Sequence, residues 1–142
     1  MKYFRFIEHT ADIAVEINAT TVKELFAAGL EAWKSAVVDS FDYGGNETHE
    51  LNLSAKNLET LLVDFLSEFN YRLTVKNRVF TSIEELSINN YEDGYKLNII
   101  FYDEDIETIG IEMKEEIKAI TYHQLEIKRV DGIFTTRIIF DI

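Results

Sequence analysis

The sequence predicts an α+β fold: a single compact domain over residues 1–142, with mixed or antiparallel β-sheets packed against two main α-helices. Three observations carry that prediction. A short alternating apolar pattern opens the chain, two long apolar stripes at helical spacing fill its first half, and two Gly-containing turn signals separate alternating runs in its second half. A chain of 142 residues with 46% hydrophobic and 13% aromatic content is long enough to bury one core and too short to expect two. No apolar run approaches the roughly 20 residues needed to cross a bilayer, so no membrane association is expected. Lys2, Arg5 and Glu8 bring charge in too early for a secretory signal. The lack of Cys removes disulfides and thiolate metal sites, as fits an intracellular protein.

The elements follow in order. Residues 3–8 and 12–18 alternate and read as short strands. Thr21-Val22-Lys23-Glu24 is a capping box, in which the Thr hydroxyl and the Glu carboxylate satisfy amides at a helix start. Leu25, Phe26, Gly29, Trp33 and Val37 continue that helix, which is expected to end before Gly44-Gly45. Residues 47–53 read as a strand, and Ser54 is expected to cap a second helix. Its apolar positions are Leu58, Leu61, Leu62, Phe65, Leu66, Phe69 and Leu73, and both stripes read as core. Residues 83–90 and 95–102 flank the hairpin signal Asp93-Gly94.

A second hairpin joins residues 118–130 to 133–142 through Asp131-Gly132. A two-residue turn there pairs positions whose numbers sum to 263, so Glu126 faces Arg137, Leu125 faces Ile138, His123 faces Phe140 and Tyr122 faces Asp141. Lys118, Tyr122 and Asp141 then share a polar face, while His123, Leu125, Ile138 and Phe140 share the apolar one.

Few standard chemical constellations are present. His9, His49 and His123 have no paired-ligand spacing, and no phosphate-cradling Gly-rich loop occurs. An EF-hand starting at Asp103-Glu104-Asp105 would put Thr108 at the required glycine and Lys114 at the bidentate acid, which excludes it. His123 reads as a packed core residue; His9, beside Thr10 and Asp12, either orients a strand junction or touches a ligand. The net charge is −12, with eleven acids from Glu84 to Glu116 against Lys96 and Lys114. Such a surface is expected to repel bare RNA or DNA and to attract a partner with a basic face, with plain solubilisation the commoner role of such charge. The chain ends with Asp141 next to the α-carboxylate of Ile142, and Asp12 lies at a strand junction near the other end. If the termini meet, three carboxylates converge, a donor set that suits a hard divalent cation. Ordinary loop acids paired with a Lys are the other reading of the same residues.

Four ordered segments carry a family resemblance: His9-Thr10-Ala11-Asp12-Ile13, Leu61-Leu62-Val63, Glu116-Ile117-Lys118-Ala119-Ile120-Thr121-Tyr122-His123, and the terminal Phe140-Asp141-Ile142. Together they resemble archease. That resemblance implies a small cytoplasmic, non-enzymatic accessory protein that activates the GTP- and metal-dependent tRNA-splicing RNA ligase. The ligase joins 3′-phosphate or 2′,3′-cyclic phosphate ends to 5′-hydroxyl ends, and the activator promotes its guanylylation and multiple turnover. The resemblance also implies a metal site at Asp12, Asp141 and Ile142, with Ca²⁺ as the usual ion and Mg²⁺ or another divalent ion as the alternative. It matches Lys118 to a residue that matters for activation, and it admits a chaperone-like role toward an RNA methyltransferase. The sequence departs from the family pattern at Ala14, at Ile133-Phe134 and at the polar Asn70-Tyr71-Arg72. A metal-dependent phosphoryl-transfer or hydrolase enzyme, with the same carboxylates and Lys118 as electrostatic stabiliser, is the alternative function.

Overall fold

A computed structural model of the chain describes residues 1–7, 12–41, 45, 47–122 and 124–142. The sequence readings at Glu8, His9, Thr10, Ala11, Gly44 and His123 lie outside these residues. The elements run β1 (Lys2–Ile7), β2 (Asp12–Ala19), α1 (Val22–Val37), β3 (Thr48–Ala55), α2 (Leu58–Lys76), β4 (Arg78–Tyr91) and β5 (Gly94–Asp105). The one-turn α3 (Ile106–Ile109), β6 (Ala119–Ile120), β7 (Lys128–Val130) and β8 (Ile133–Asp141) complete the chain. One sheet has the order β1-β2-β8-β6, with β7 also on β8; the other has the order β3-β5-β4. Every strand pairing among the described residues is antiparallel. The two long helices lie between the sheets: α1 packs on β1, β2 and β8 and reaches β4, while α2 packs on β3, β4 and β5 and reaches β6.

Each helix start is fixed by a short polar side chain. Thr21 caps α1 by accepting the Glu24 N–H at 3.1 Å. The Glu24 carboxylate also takes the Met1 ammonium at 3.0 Å and the Thr20 hydroxyl at 3.1 Å, which ties β1 to the start of α1. α1 stops at Val37, well before Gly44-Gly45, because Val38 turns extended and bridges Met113. Ser54 is not the cap of α2. It lies inside β3 opposite Lys96, and Asn57 caps the helix by accepting the Thr60 N–H at 2.8 Å.

The apolar stripes meet in one core. Phe69 of α2 is its centre, with ring centroids 5.3 Å from Phe65, 5.5 Å from Phe80, 4.8 Å from Phe101 and 6.5 Å from Trp33. These separations, edge-on for three of the four pairs, are the favourable ones for aromatic rings. The β4–β5 turn falls at Glu92-Asp93, one residue before the expected position, and Gly94 opens β5 at φ +143°. A Cβ there would meet the Ala55 carbonyl oxygen at 2.4 Å, so only glycine lets β5 pass that close to β3. β4 carries an irregularity between Phe80 and Ser82. There the Thr81 carbonyl takes a hydrogen bond from the Lys34 ammonium at 3.0 Å, and burial lowers the pKa of that ammonium.

Asp103 is the one buried carboxylate among the described residues, 2% exposed. Arg72 and Arg78 converge on it, Arg78 through Nη2 at 2.6 Å and Nε at 3.2 Å. His49 Nε2 stands 2.9 Å from its Oδ1, off the line of a hydrogen bond. Burial pushes the Asp103 carboxyl up, but the hydrogen bonds from Arg78 and Arg72 and the nearby positive charge outweigh it, so the carboxyl ionises below its ordinary range.

A group whose native pKa is depressed stabilises the fold above its unfolded pKa, about 3.9 for Asp, and that stability is lost as pH falls through the native value. Asp103→Asn should therefore cost about 2–4 kcal/mol at neutral pH by leaving two guanidinium groups without their carboxylate. In urea unfolding followed from neutral to acid pH, the gap between wild type and variant should close as the wild type protonates.

Candidate functional site

β2 and β8 place the acidic residues of the two chain ends together. Their register sets Asp12 directly opposite Asp141, Glu16 opposite Arg137, and the core pairs Val15 with Ile138 and Ile13 with Phe140. Alternation then turns Asp12, Glu16, Arg137 and Asp141 to the outer face of the sheet and the apolar partners inward. Asp141 and Ile142 are exposed and Asp12 is half-buried. Like charges directly opposite one another across a sheet destabilise the pairing unless something neutralises them.

The strand expected over residues 118–130 is not continuous. The 263 register holds for Lys128 with Thr135, Arg129 with Phe134 and Val130 with Ile133, around a turn in which Asp131 (φ +53°) and Gly132 (φ +78°) are both left-handed. Before Lys128 the ladder is interrupted, and the chain turns through Gln124 at φ +58°. It resumes three residues out of step, with Ala119 opposite Asp141 and Ile120 opposite Phe140.

The expected pairs Glu126–Arg137, Leu125–Ile138 and Tyr122–Asp141 are therefore not formed, because α2 takes over the hydrogen bonding of this segment. Glu59 accepts the Ile127 N–H at 3.0 Å, Asp64 accepts the Tyr122 hydroxyl at 2.5 Å, and Asn70 donates to the Ile117 carbonyl at 2.8 Å. The bond to Asp64 holds the Tyr122 phenol above its ordinary pKa, with desolvation and the Asp64 charge adding to the shift.

Lys118 changes place with this register. Its N–H donates to the Asp141 carbonyl at 2.8 Å, so the two residues are neighbours across the pairing of β6 with β8. Ala119, not Lys118, shares the face of Asp141, and Lys118 is among the residues lining a groove with Ser67, Asn70 and Tyr71 of α2. The shared face of Lys118, Tyr122 and Asp141 is corrected accordingly. Among the described residues, no group of three or more His, Cys, Asp or Glu side chains converges as a metal set. The register does bring the two aspartates Asp12 and Asp141 opposite one another, with Ile142 next in sequence.

A match to the model of the Archease protein family covers residues 4–142. The chain belongs to the archease family. Protein archease of Pyrococcus abyssi is 34% identical over 143 residues, covering 100% of both sequences. That of Methanosarcina mazei is 32% identical over 141 residues, covering 99% of this chain and 97% of the relative. The solution structure of Methanobacterium thermoautotrophicum protein 1598 matches with a TM-score of 0.79 and 25% identity, covering 98% of each chain. The crystal structure of an archease, possible chaperone, from Thermotoga maritima shares the fold, with a TM-score of 0.63, 23% identity and coverage of 96% of this chain and 94% of that one.

Asn70 is the residue whose part in this region sequence reading missed. It is buried at 7% exposure, accepts the Trp33 indole N–H at 3.0 Å and holds Ile117 beside α2. A polar residue at a core position of an apolar stripe was the available signal. Asn70→Leu should leave the Trp33 N–H and the Ile117 carbonyl without partners and cost about 2–4 kcal/mol. The amides of Lys118 and Thr121 should also exchange with deuterium faster than those of the β2–β8 pair, a difference that hydrogen exchange read by mass spectrometry would measure.

Proposed function

We propose that the chain is a non-enzymatic activator of a tRNA-splicing RNA ligase, acting in the cytoplasm and carrying a divalent cation at Asp12, Asp141 and Ile142. The observation that carries this reading is the β2–β8 register, which opposes two aspartates on an exposed sheet face in a chain of the archease family. The donors are oxygens only, which suits Ca²⁺ first and Mg²⁺ as the alternative, with water completing the shell. The cation would neutralise the opposed carboxylates and, by binding only the folded chain, stabilise it. Lys118, exposed one residue from the Asp141 row, would present a fixed positive charge to the partner's reacting phosphates. The words "possible chaperone" used for the Thermotoga maritima relative share one requirement with this reading, a partner protein.

Guanylylation of a purified ligase with GTP, in the presence and absence of this protein, tests the reading directly. Stimulation by wild type, and loss of most of it in Lys118→Ala with an unchanged melting temperature, are expected. An unstimulated ligase would refute the activator role. For the cation, calcium titration of Asp12→Asn, of Asp141→Asn and of a chain extended beyond Ile142 should show weakened affinity in all three. Unchanged affinity in the extended chain would remove the terminal carboxylate from the ligand set.

A further inference from the structure

Between α2 and the strip that precedes β8 runs a groove of about 280 Å³. Ser67, Tyr71 and Thr74 stand at positions i, i+4 and i+7 of α2 and line one wall; Lys118 and Ile120 line the other. Its described lining includes no carboxylate, in a chain with 26 acids against 14 bases. Asp64, which lies three residues before Ser67 on α2, is engaged by the Tyr122 hydroxyl. The Thr74 hydroxyl donates to the Asn70 carbonyl at 2.9 Å, so the donors left to the groove are the Ser67 and Tyr71 hydroxyls and the Lys118 ammonium. Lys76 adds a second positive charge beside it, its Nζ 5.7 Å from the centre of the Tyr71 ring. The groove is thus a cationic, hydroxyl-lined notch in a strongly anionic molecule, and its floor is fixed by the Asn70–Ile117 and Lys118–Asp141 hydrogen bonds.

We propose that this groove binds a phosphate group, with Lys118 Nζ and the hydroxyls of Ser67 and Tyr71 as donors. An ammonium carrying three N–H bonds and two separately placed O–H groups match the oxygens of a phosphate better than the two of a carboxylate. The use of the site rests on the activator reading: a phosphate brought by the partner, on a nucleotide or on an RNA end, would seat Lys118 here rather than leave it a free surface charge. The groove thereby adds Ser67 and Tyr71 as recognition residues that the carboxylate site does not contain.

The test is a titration of ¹⁵N-labelled full-length protein with inorganic phosphate at constant ionic strength, with chloride as the control salt. Saturable shifts confined to the amides around Ser67, Tyr71, Lys118 and Ala119 are expected in phosphate but not in chloride. Lys118→Ala should abolish them, and the Ser67→Ala/Tyr71→Phe double variant should weaken binding about tenfold while its spectrum stays folded. Absence of saturable shifts, equal shifts in chloride, or binding unchanged in Lys118→Ala would each overturn the groove. The double variant in the ligase guanylylation assay then reads the use of the site: reduced stimulation supports it, and full stimulation overturns it. A wild type that binds phosphate but does not stimulate the ligase would overturn the activator reading alone. Stimulation without phosphate binding would overturn the groove alone.

Discussion

One buried amide organises the end of the molecule where β6 meets β8. Asn70 joins α1, through the Trp33 indole, to the Ile117 carbonyl. With Ile117 held there, the following residues cannot continue the tight hairpin that Asp131-Gly132 begins, and the ladder on β8 resumes in a different register. That shift puts Ala119 beside Asp141 and turns Lys118 toward α2. A buried, fully bonded polar group adds little net energy but makes alternative pairings expensive, since each would strand a donor or an acceptor in the core. The same amide explains the polar Asn70-Tyr71-Arg72 departure: Asn70 is a connector, Arg72 a counter-ion for Asp103, and Tyr71 a groove wall.

Two kinds of carboxylate coexist in this acidic chain, separated by their surroundings. Asp103 sits inside, where two guanidinium groups and a histidine meet it and fix the junction of α2, β3, β4 and β5. Asp12 and Asp141 stand at the surface, opposed by the sheet register itself. The interior carboxylate is matched by the charge of two guanidinium groups, whereas the surface pair stands where solvent reaches it.

Much of the architecture was legible in local pattern. The two helical stripes, the left-handed Asp131-Gly132 turn and the outward direction of Asp141 each follow from spacing over a few residues, and each agrees with the structure. Where local pattern offered equivalent choices, distant partners decided. Ser54 and Asn57 are both good caps, and pairing of Ser54 with Lys96 left Asn57 to cap. Residues 118–130 alternate like a strand, yet Glu59 and Asp64 bind Ile127 and Tyr122, and Asn70 binds the preceding Ile117, across gaps of 47 to 68 residues. Asp103 was hidden in an acidic run because Arg72 and Arg78, 31 and 25 residues away, give no sign of converging on it. The opposition of Asp12 and Asp141 was accessible only as a possibility about the termini, since it depends on β8 pairing with β2 across most of the chain.

The position of β4 has a consequence for colloidal behaviour. It is a long outer strand of the three-stranded sheet, 14 residues with β5 its one strand partner among the described residues, and such edges template edge-to-edge pairing with other chains. Exposed Glu84 and Glu85 along it, and Glu92-Asp93 at its turn, give neighbouring copies like charges at the surfaces that would have to meet. The acidity of the chain thus also insulates an open sheet edge from self-association. That insulation weakens wherever acid or bound polycation neutralises the strand.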